Sequence, residues 1–285
     1  MTGLVYLNGA LVEAEQARLS AFDAGLTHGA GLFETVRCYA GRAFRLDRHL
    51  ARLRNSATVL GVPLPWDDGA LVRAVETTLG ANELRDARLR ITLTPGPPTG
   101  EAAAPTLLVA ATALERYPES LRQEGMTACV CDHKISPSDP LAGHKTVSYF
   151  PRLLGLRAAQ RKKCGEALWF TTEHLLAEGS ISNVFLVRDE RLETPGLGTP
   201  VLPGVARGVV LECAAALGIE AAERRLTIED LLSADEVFLT NTIMEVMPVC
   251  RVERHAVGGE RVGEVTGRLA AAYAERVREE CAAEG

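Results

Sequence analysis

A chain of 285 residues is long enough for one large or two moderate domains, each with its own core. With 47 % apolar and 24 % charged residues it has the balance of a soluble globular protein, which excludes a disordered or fibrous chain. A net charge of −6 disfavours nucleic acid or an anionic membrane as partner, and no apolar run approaches the ~20 residues of a spanning helix. The start, Met1-Thr-Gly-Leu-Val-Tyr6, lacks the basic and then apolar pattern of a leader, so a cytoplasmic protein is expected.

In chain order, Val5 to Val12 reads as a hairpin, because Asn8-Gly9 suits the positive φ angles of a tight turn. Gly31 to Tyr39 alternates like a strand, and Ala40-Gly41 turns it into another. Leu46, Leu50, Leu53, Ala57 and Leu60 recur at helical spacing, and Gly61 ends that helix before Pro63. A second helix is expected from Asp67 to Leu79. Strands Ala87 to Leu93 and Thr106 to Thr112 follow, separated by the turn-rich stretch Pro95 to Gly100. This predicts an α+β domain over residues 1–113, a connecting segment over 114–122 and a larger domain over 123–285.

The larger domain opens with a strand from Thr127 to Cys131. Next come a helix from Tyr149 to Lys162 and strands at Ala167 to Thr171 and Ser182 to Val187. Pro203-Gly204 opens a helix from Val205 to Leu217. Thr227-Ile-Glu-Asp230 reads as a capping box before the strand Glu236 to Thr240. Val262, Val265, Leu269, Tyr273 and Val277 mark an amphipathic C-terminal helix. The seven cysteines are odd in number and scattered; Cys129 and Cys131 read as opposite faces of one strand, and buried reduced thiols are expected, with no metal.

The chemistry concentrates in Leu141-Ala-Gly-His-Lys145 and Leu176-Ala-Glu178-Gly-Ser-Ile-Ser-Asn183. The first places a lysine among small residues that leave room for a bulky ring; partial desolvation would favour its nucleophilic form. The second places a carboxylate where a loop turns into the strand Val184 to Val187. A lysine that forms an imine and a glutamate that holds a pyridinium proton are the two groups a pyridoxal phosphate enzyme needs most. A solvated lysine and a surface turn are the alternative readings of each alone. For a phosphate, three sets stand out: Arg52 with His49 one turn earlier, the free amides of Val205 and Ala206 at a helix start, and Thr240-Asn241-Thr242 at a strand end. Neither a glycine-rich phosphate loop nor the Gly-x-Gly-x-x-Gly context of a dehydrogenase is present.

Together these stretches resemble the class IV (fold type IV) aminotransferase family. Asp23 to Arg37, His49-Leu-Ala-Arg52-Leu53, Lys145, Glu178, Leu202 to Arg207, and Thr240 to Val249 follow the family's elements in order over nearly the whole chain. The resemblance implies a two-domain fold, with a small N-terminal α+β domain and a larger pseudobarrel and the cofactor in the cleft between them. It implies pyridoxal 5′-phosphate as cofactor, Lys145 as the Schiff-base lysine and Glu178 at the pyridine nitrogen. Arg52, Val205, Ala206, Asn241 and Thr242 are implied at the phosphate, and Tyr149 at the phenolic oxygen. Phe33 and Arg37 are the candidates for the substrate, a small amino compound, and a homodimer is expected. Within the family the chain looks closest to aminodeoxychorismate lyase, which releases pyruvate to give 4-aminobenzoate for folate. The alternative is a branched-chain or D-amino-acid aminotransferase. The D-amino-acid type is expected to carry an arginine where Pro95 stands.

Overall fold

The computed structural model describes residues 3–99 and 104–282; Gly100, the end of the turn expected after Pro95, lies outside them. The chain forms two compact units. The first runs to Glu115 and also takes in His144–Ser148 and the stretch from Val277. The second comprises Arg116–Gly143 and Tyr149–Arg276.

The first unit is built on a six-stranded sheet. Strands β1 (Leu4–Leu7) and β2 (Ala10–Glu13) form the expected hairpin, with Asn8 and Gly9 both at positive φ. A single turn, α1 (Ala24–Thr27), is capped by Asp23, whose other oxygen accepts from Thr94 and Thr106. Then follow β3 (Leu32–Tyr39), β4 (Arg42–Ala43), α2 (Leu46–Val59), α3 (Asp68–Ala81), β5 (Ala87–Thr94) and β6 (Thr106–Ala113), in the sheet order β2-β1-β6-β5-β3-β4. Cross-strand partners share a face. One face, with Leu32, Val36, Leu89, Ile91, Leu93 and Val109, packs into a core with Leu50, Leu53, Leu71 and Val75 of the two helices. Each such leucine contributes about 1.5–3 kcal/mol by leaving water. The other face carries Phe33, Thr35 and Arg37 opposite Thr92, Arg90 and Arg88. Hydrophobic and cationic residues therefore alternate along β3 and β5, and the pleat separates them.

The second unit holds α4 (Glu119–Glu124), β7 (Met126–Ile135), α5 (Phe150–Arg161), β8 (Glu166–Thr171), β9 (Leu176–Gly179), β10 (Asn183–Arg188) and β11 (Arg191–Pro195). It continues with α6 (Val205–Ala216), β12 (Ala221–Arg224), α7 (Ile228–Leu232), β13 (Glu236–Asn241), β14 (Glu245–Val252) and β15 (His255–Ala256). The C-terminal helix α8 (Glu264–Cys281) buries Val265, Leu269 and Tyr273 in this unit; one turn apart, its buried Val277 and Cys281 belong to the first. The sheet order is β12-β11-β10-β13-β14-β7-β8-β9. The Thr227–Asp230 capping box forms as expected. Phe185 and Phe238, cross-strand partners on β10 and β13, stack with centroids 4.9 Å apart.

Two expectations are corrected here. Cys129 and Cys131 lie in the same buried cluster on one side of β7, while Val130 between them packs into a different cluster. Residues two apart on a strand point the same way, so the two thiols cannot occupy opposite faces. Glu178, expected in a loop, lies within the short strand β9, paired with Trp169 of β8. Its position is therefore set by a ladder and not by a turn alone.

Candidate active site

In the first unit, Lys145 sits in a segment held against the start of β3. Phe33 N–H donates to Lys145 O at 2.9 Å and Val147 N–H to Gly31 O at 2.9 Å. His144 Nδ1 lies 2.9 Å from Ser56 Oγ, which ties the same segment to α2. Glycine at 31 is required, because a Cβ there would come 2.7 Å from Leu93 O. The Lys145 Nζ stands 4.5 Å from the centroid of the Phe33 ring, and the Arg90 guanidinium lies 3.8 Å from that same centroid. Arg37, four residues further along β3 on the same face and almost fully buried, lies 4.3 Å from the Tyr39 ring.

On the opposite face of β3, Glu34 is buried with His49 and Arg52. Arg52 donates to it bidentately, Nε to Oε1 at 2.8 Å and Nη2 to Oε2 at 2.6 Å, and His49 Nδ1 lies 2.8 Å from Oε2. Burial alone would raise the Glu34 pKa; the charge and hydrogen bonds of Arg52, with His49, outweigh it and hold it down to about 2. Burial lowers the His49 pKa despite Glu34, so the ring is neutral at pH 7 and donates from Nδ1 as a hydrogen bond rather than an ion pair. Its Nε2 is buried with no partner among the described residues. Lys145 is near enough for its charge to act on His49.

In the second unit, both oxygens of Glu178 are engaged. Arg152 Nη2 donates to Oε1 at 2.5 Å; Leu202 N–H and Asn183 Nδ2 donate to Oε2 at 2.8 and 3.5 Å. The turn after Glu178 is fastened from several sides. Tyr149 OH donates to Ser180 O at 3.1 Å, Trp169 Nε1 to Ser180 Oγ at 2.8 Å and Asn241 Nδ2 to Ile181 O at 3.0 Å. Beneath it lies Glu166, fully buried, accepting from Ala167 N–H, Ser180 N–H, Ile181 N–H and Ser182 Oγ at 2.8–3.3 Å. A Cβ on Gly179 would run into Ser182 Oγ and come 2.9 Å from Glu166 Oε2.

The anion donors of this unit converge through Asn183. It pairs across the sheet with Thr240, and a Cβ on Gly204 would strike its Oδ1. Gly204 caps α6 without a side-chain hydrogen bond, leaving the amides at Val205 and Ala206 to an external acceptor. Thr240 Oγ1 is buried with no hydrogen-bond partner among the described residues, which suits a site that receives an acceptor from outside. Asn241 does something different. Its Oδ1 accepts from Ile243 and Met244 N–H, both at 2.8 Å, so its side chain closes the turn that carries half-buried Thr242.

Lys145, Phe33, Arg37 and Arg52 thus fall in the first unit, and Tyr149, Glu178, Val205, Ala206, Asn241 and Thr242 in the second. Sequence reading missed Glu34 as the partner of Arg52, Arg90 beside Phe33, and Arg152 and Glu166 around Glu178. Glu166 did leave a signal, a charge opening an otherwise apolar strand. Arg152 left one as well, since it follows Tyr149 by three residues and shares its helix face. The model of the amino-transferase class IV family matches residues 31–252.

The chain belongs to the class IV aminotransferase family. A Methanocaldococcus jannaschii relative, named provisionally as a branched-chain-amino-acid aminotransferase, is 33 % identical over 93 % of this chain and 93 % of its own. Aminodeoxychorismate lyase of Bacillus subtilis is 30 % identical over 96 % of this chain and 95 % of its own. Among solved structures, the branched-chain amino acid aminotransferase of Escherichia coli superposes with a TM-score of 0.91 at 29 % identity, covering 96 % of this chain and 94 % of that one. The fold is that of the fold type IV enzymes of this family, and the protein is an enzyme.

Proposed function

We propose that the chain is a pyridoxal 5′-phosphate-dependent lyase that acts on 4-amino-4-deoxychorismate, releasing pyruvate and 4-aminobenzoate. The observation that carries the substrate reading is the cationic face around Phe33. Lys145 and Arg90 both contact its ring, and buried Arg37 stands four residues along the same strand, on the same face. Such a face suits an amino substrate with two carboxylates around an unsaturated ring, one side of which can lie on an aromatic side chain. In the second unit, the Ile243 and Met244 amides are already taken by Asn241, so that turn offers them to no substrate carboxylate.

The residues present fit the cofactor. In the second unit, Val205, Ala206 and the Thr240 hydroxyl, which has no partner among the described residues, would hold its phosphate; in the first, Glu34 orients the guanidinium of Arg52, the other phosphate candidate. When bound, pyridoxal phosphate supplies the covalent carbonyl and the electron sink that lets a bond at the amine-bearing carbon break. Glu178 would hold the proton of the ring nitrogen. Lys145 would hold the cofactor and, as a free amine, would take the substrate proton from close range. Tyr149, committed to Ser180 O, acts through that turn as well as through any contact of its own with the phenolic oxygen.

An amino-acid aminotransferase is the second reading, favoured by the names of relatives at 31–33 % identity. The two reactions share their first half and their cofactor residues. Purified protein is offered aminodeoxychorismate, and separately glutamate, branched-chain and D-alanine donors with a keto acid. Pyruvate and 4-aminobenzoate support the lyase; keto-acid exchange without them refutes it. Borohydride should leave a pyridoxyl group on Lys145, and its absence would refute the role of that lysine. A homodimer belongs to the same reading, supported by Phe22 and Leu26, which stand 74 % and 72 % exposed, and is checked by light scattering. Seven buried, unbridged cysteines support a reducing compartment, the cytoplasm.

A further inference from the structure

Arg152 has an unusually fixed guanidinium for a residue one turn into a helix. Its Nη2 donates to Glu178 Oε1, its Nη1 donates to Gly179 O at 3.3 Å, and its plane lies 4.9 Å from the Trp169 ring centroid. Trp169 is itself locked by Ser180. The Arg152 side chain is only 19 % exposed and that of Glu178 7 %, so water screens the pair weakly. A carboxylate offers about four lone-pair positions. Arg152 takes one on Oε1, and Leu202 N–H and Asn183 take the two on Oε2, which leaves one position, on the oxygen that Arg152 holds.

We infer that Arg152 is a positioning residue for Glu178: it fixes the carboxylate and stands a permanent positive charge behind it, tuning how firmly the cofactor's ring nitrogen keeps its proton. This rests on the reading of Glu178 as the ring-nitrogen partner. A cation this close draws on the negative charge that would otherwise act wholly on the ring proton, so the ring gives that proton up more readily. Lysine would keep the charge but lose the two-point grip, whereas glutamine keeps some of the grip and loses the charge. The other titratable groups facing the pair are Tyr149 on its own helix, Glu166 below the turn, Cys131 on β7, on which the Arg152 charge acts, and His133 against Trp169.

The test compares wild type, R152K, R152Q and E178Q, each loaded with pyridoxal phosphate, by the pH titration of the cofactor's visible band and by its dissociation constant. R152Q should move the midpoint upward by about one pH unit, as removal of a nearby cation does to a cationic acid. R152K should stay nearer wild type. The inference is overturned if R152Q titrates like wild type, or if R152K and R152Q shift equally, which would mean a packing role only. R152M, which keeps contact with Trp169, takes the place of R152Q if the latter does not fold. If E178Q titrates like wild type, the assignment of Glu178 fails and this inference with it; if wild type binds no cofactor, the proposed function fails first.

Discussion

Replacing Glu166 by alanine tests whether a buried carboxylate holds the turn that follows Glu178. The substitution removes the acceptor of Ala167 N–H and Ser182 Oγ, both buried. Ser180 N–H keeps Ala167 O as a second acceptor, and half-buried Ile181 can turn to water. Two orphaned buried donors cost about 1–3 kcal/mol each, and relief from burying a charge offsets part of that. The net loss should be about 3 kcal/mol. Glutamine keeps the shape and one oxygen, so E166Q should lose about 1 kcal/mol or less. Trp169 is one of only two tryptophans, so a W66F background makes its fluorescence a reporter of this unit during urea unfolding of the apoprotein. An E166A midpoint equal to wild type, or an E166Q loss as large as that of E166A, would refute the reasoning. The pH dependence adds a check of sign. Burial raises the Glu166 pKa above 4.5, against the pull of its four hydrogen bonds. The folded protein therefore binds that proton more tightly than the unfolded chain. Relative to E166Q, wild type should gain most below pH 4.5 and lose that advantage as pH climbs through the raised folded value.

Other expectations follow from the same geometry. E34Q should destabilise the protein by about 3 kcal/mol at neutral pH, because it breaks a buried pair with Arg52. The Glu34 pKa is depressed from 4.5 to about 2, so the gap to wild type in an acid titration should close as pH falls through that window. Thr240→Val removes a buried hydroxyl that has no partner among the described residues, so apoprotein stability should hold or rise slightly while cofactor affinity falls about tenfold; equilibrium dialysis and thermal melts read the two separately. Gly204→Ala places a methyl group against Asn183, which should displace the start of α6 and weaken phosphate binding, seen as a raised pyridoxal phosphate dissociation constant.

Local pattern was enough for most of the elements. Apolar recurrence at Leu46, Leu50, Leu53 and Ala57 placed α2, and Asn8-Gly9 and Ala40-Gly41 placed two hairpins whose turn residues do take positive φ. Strands that are short or broken by proline were lost instead. β11 and β12 are charged and only five and four residues long, and β14 carries Pro248 in the middle of its apolar run. Such segments become strands because neighbours supply their hydrogen-bond partners, which no local window contains.

Within the site, the chain order of Arg52, Lys145, Glu178 and Thr240 by itself marked out the family and the cofactor chemistry. Folding decided what each of those groups touches. Arg52 is held by Glu34 because the two sit on a helix and a strand that pack together, 18 residues apart in sequence. Glu178 is gripped by Arg152 from 26 residues away, and its turn rests on Glu166. A residue's type fixes the chemistry it can perform, but burial and the partner across the core set its charge and aim, and those arise only once distant segments exclude water together.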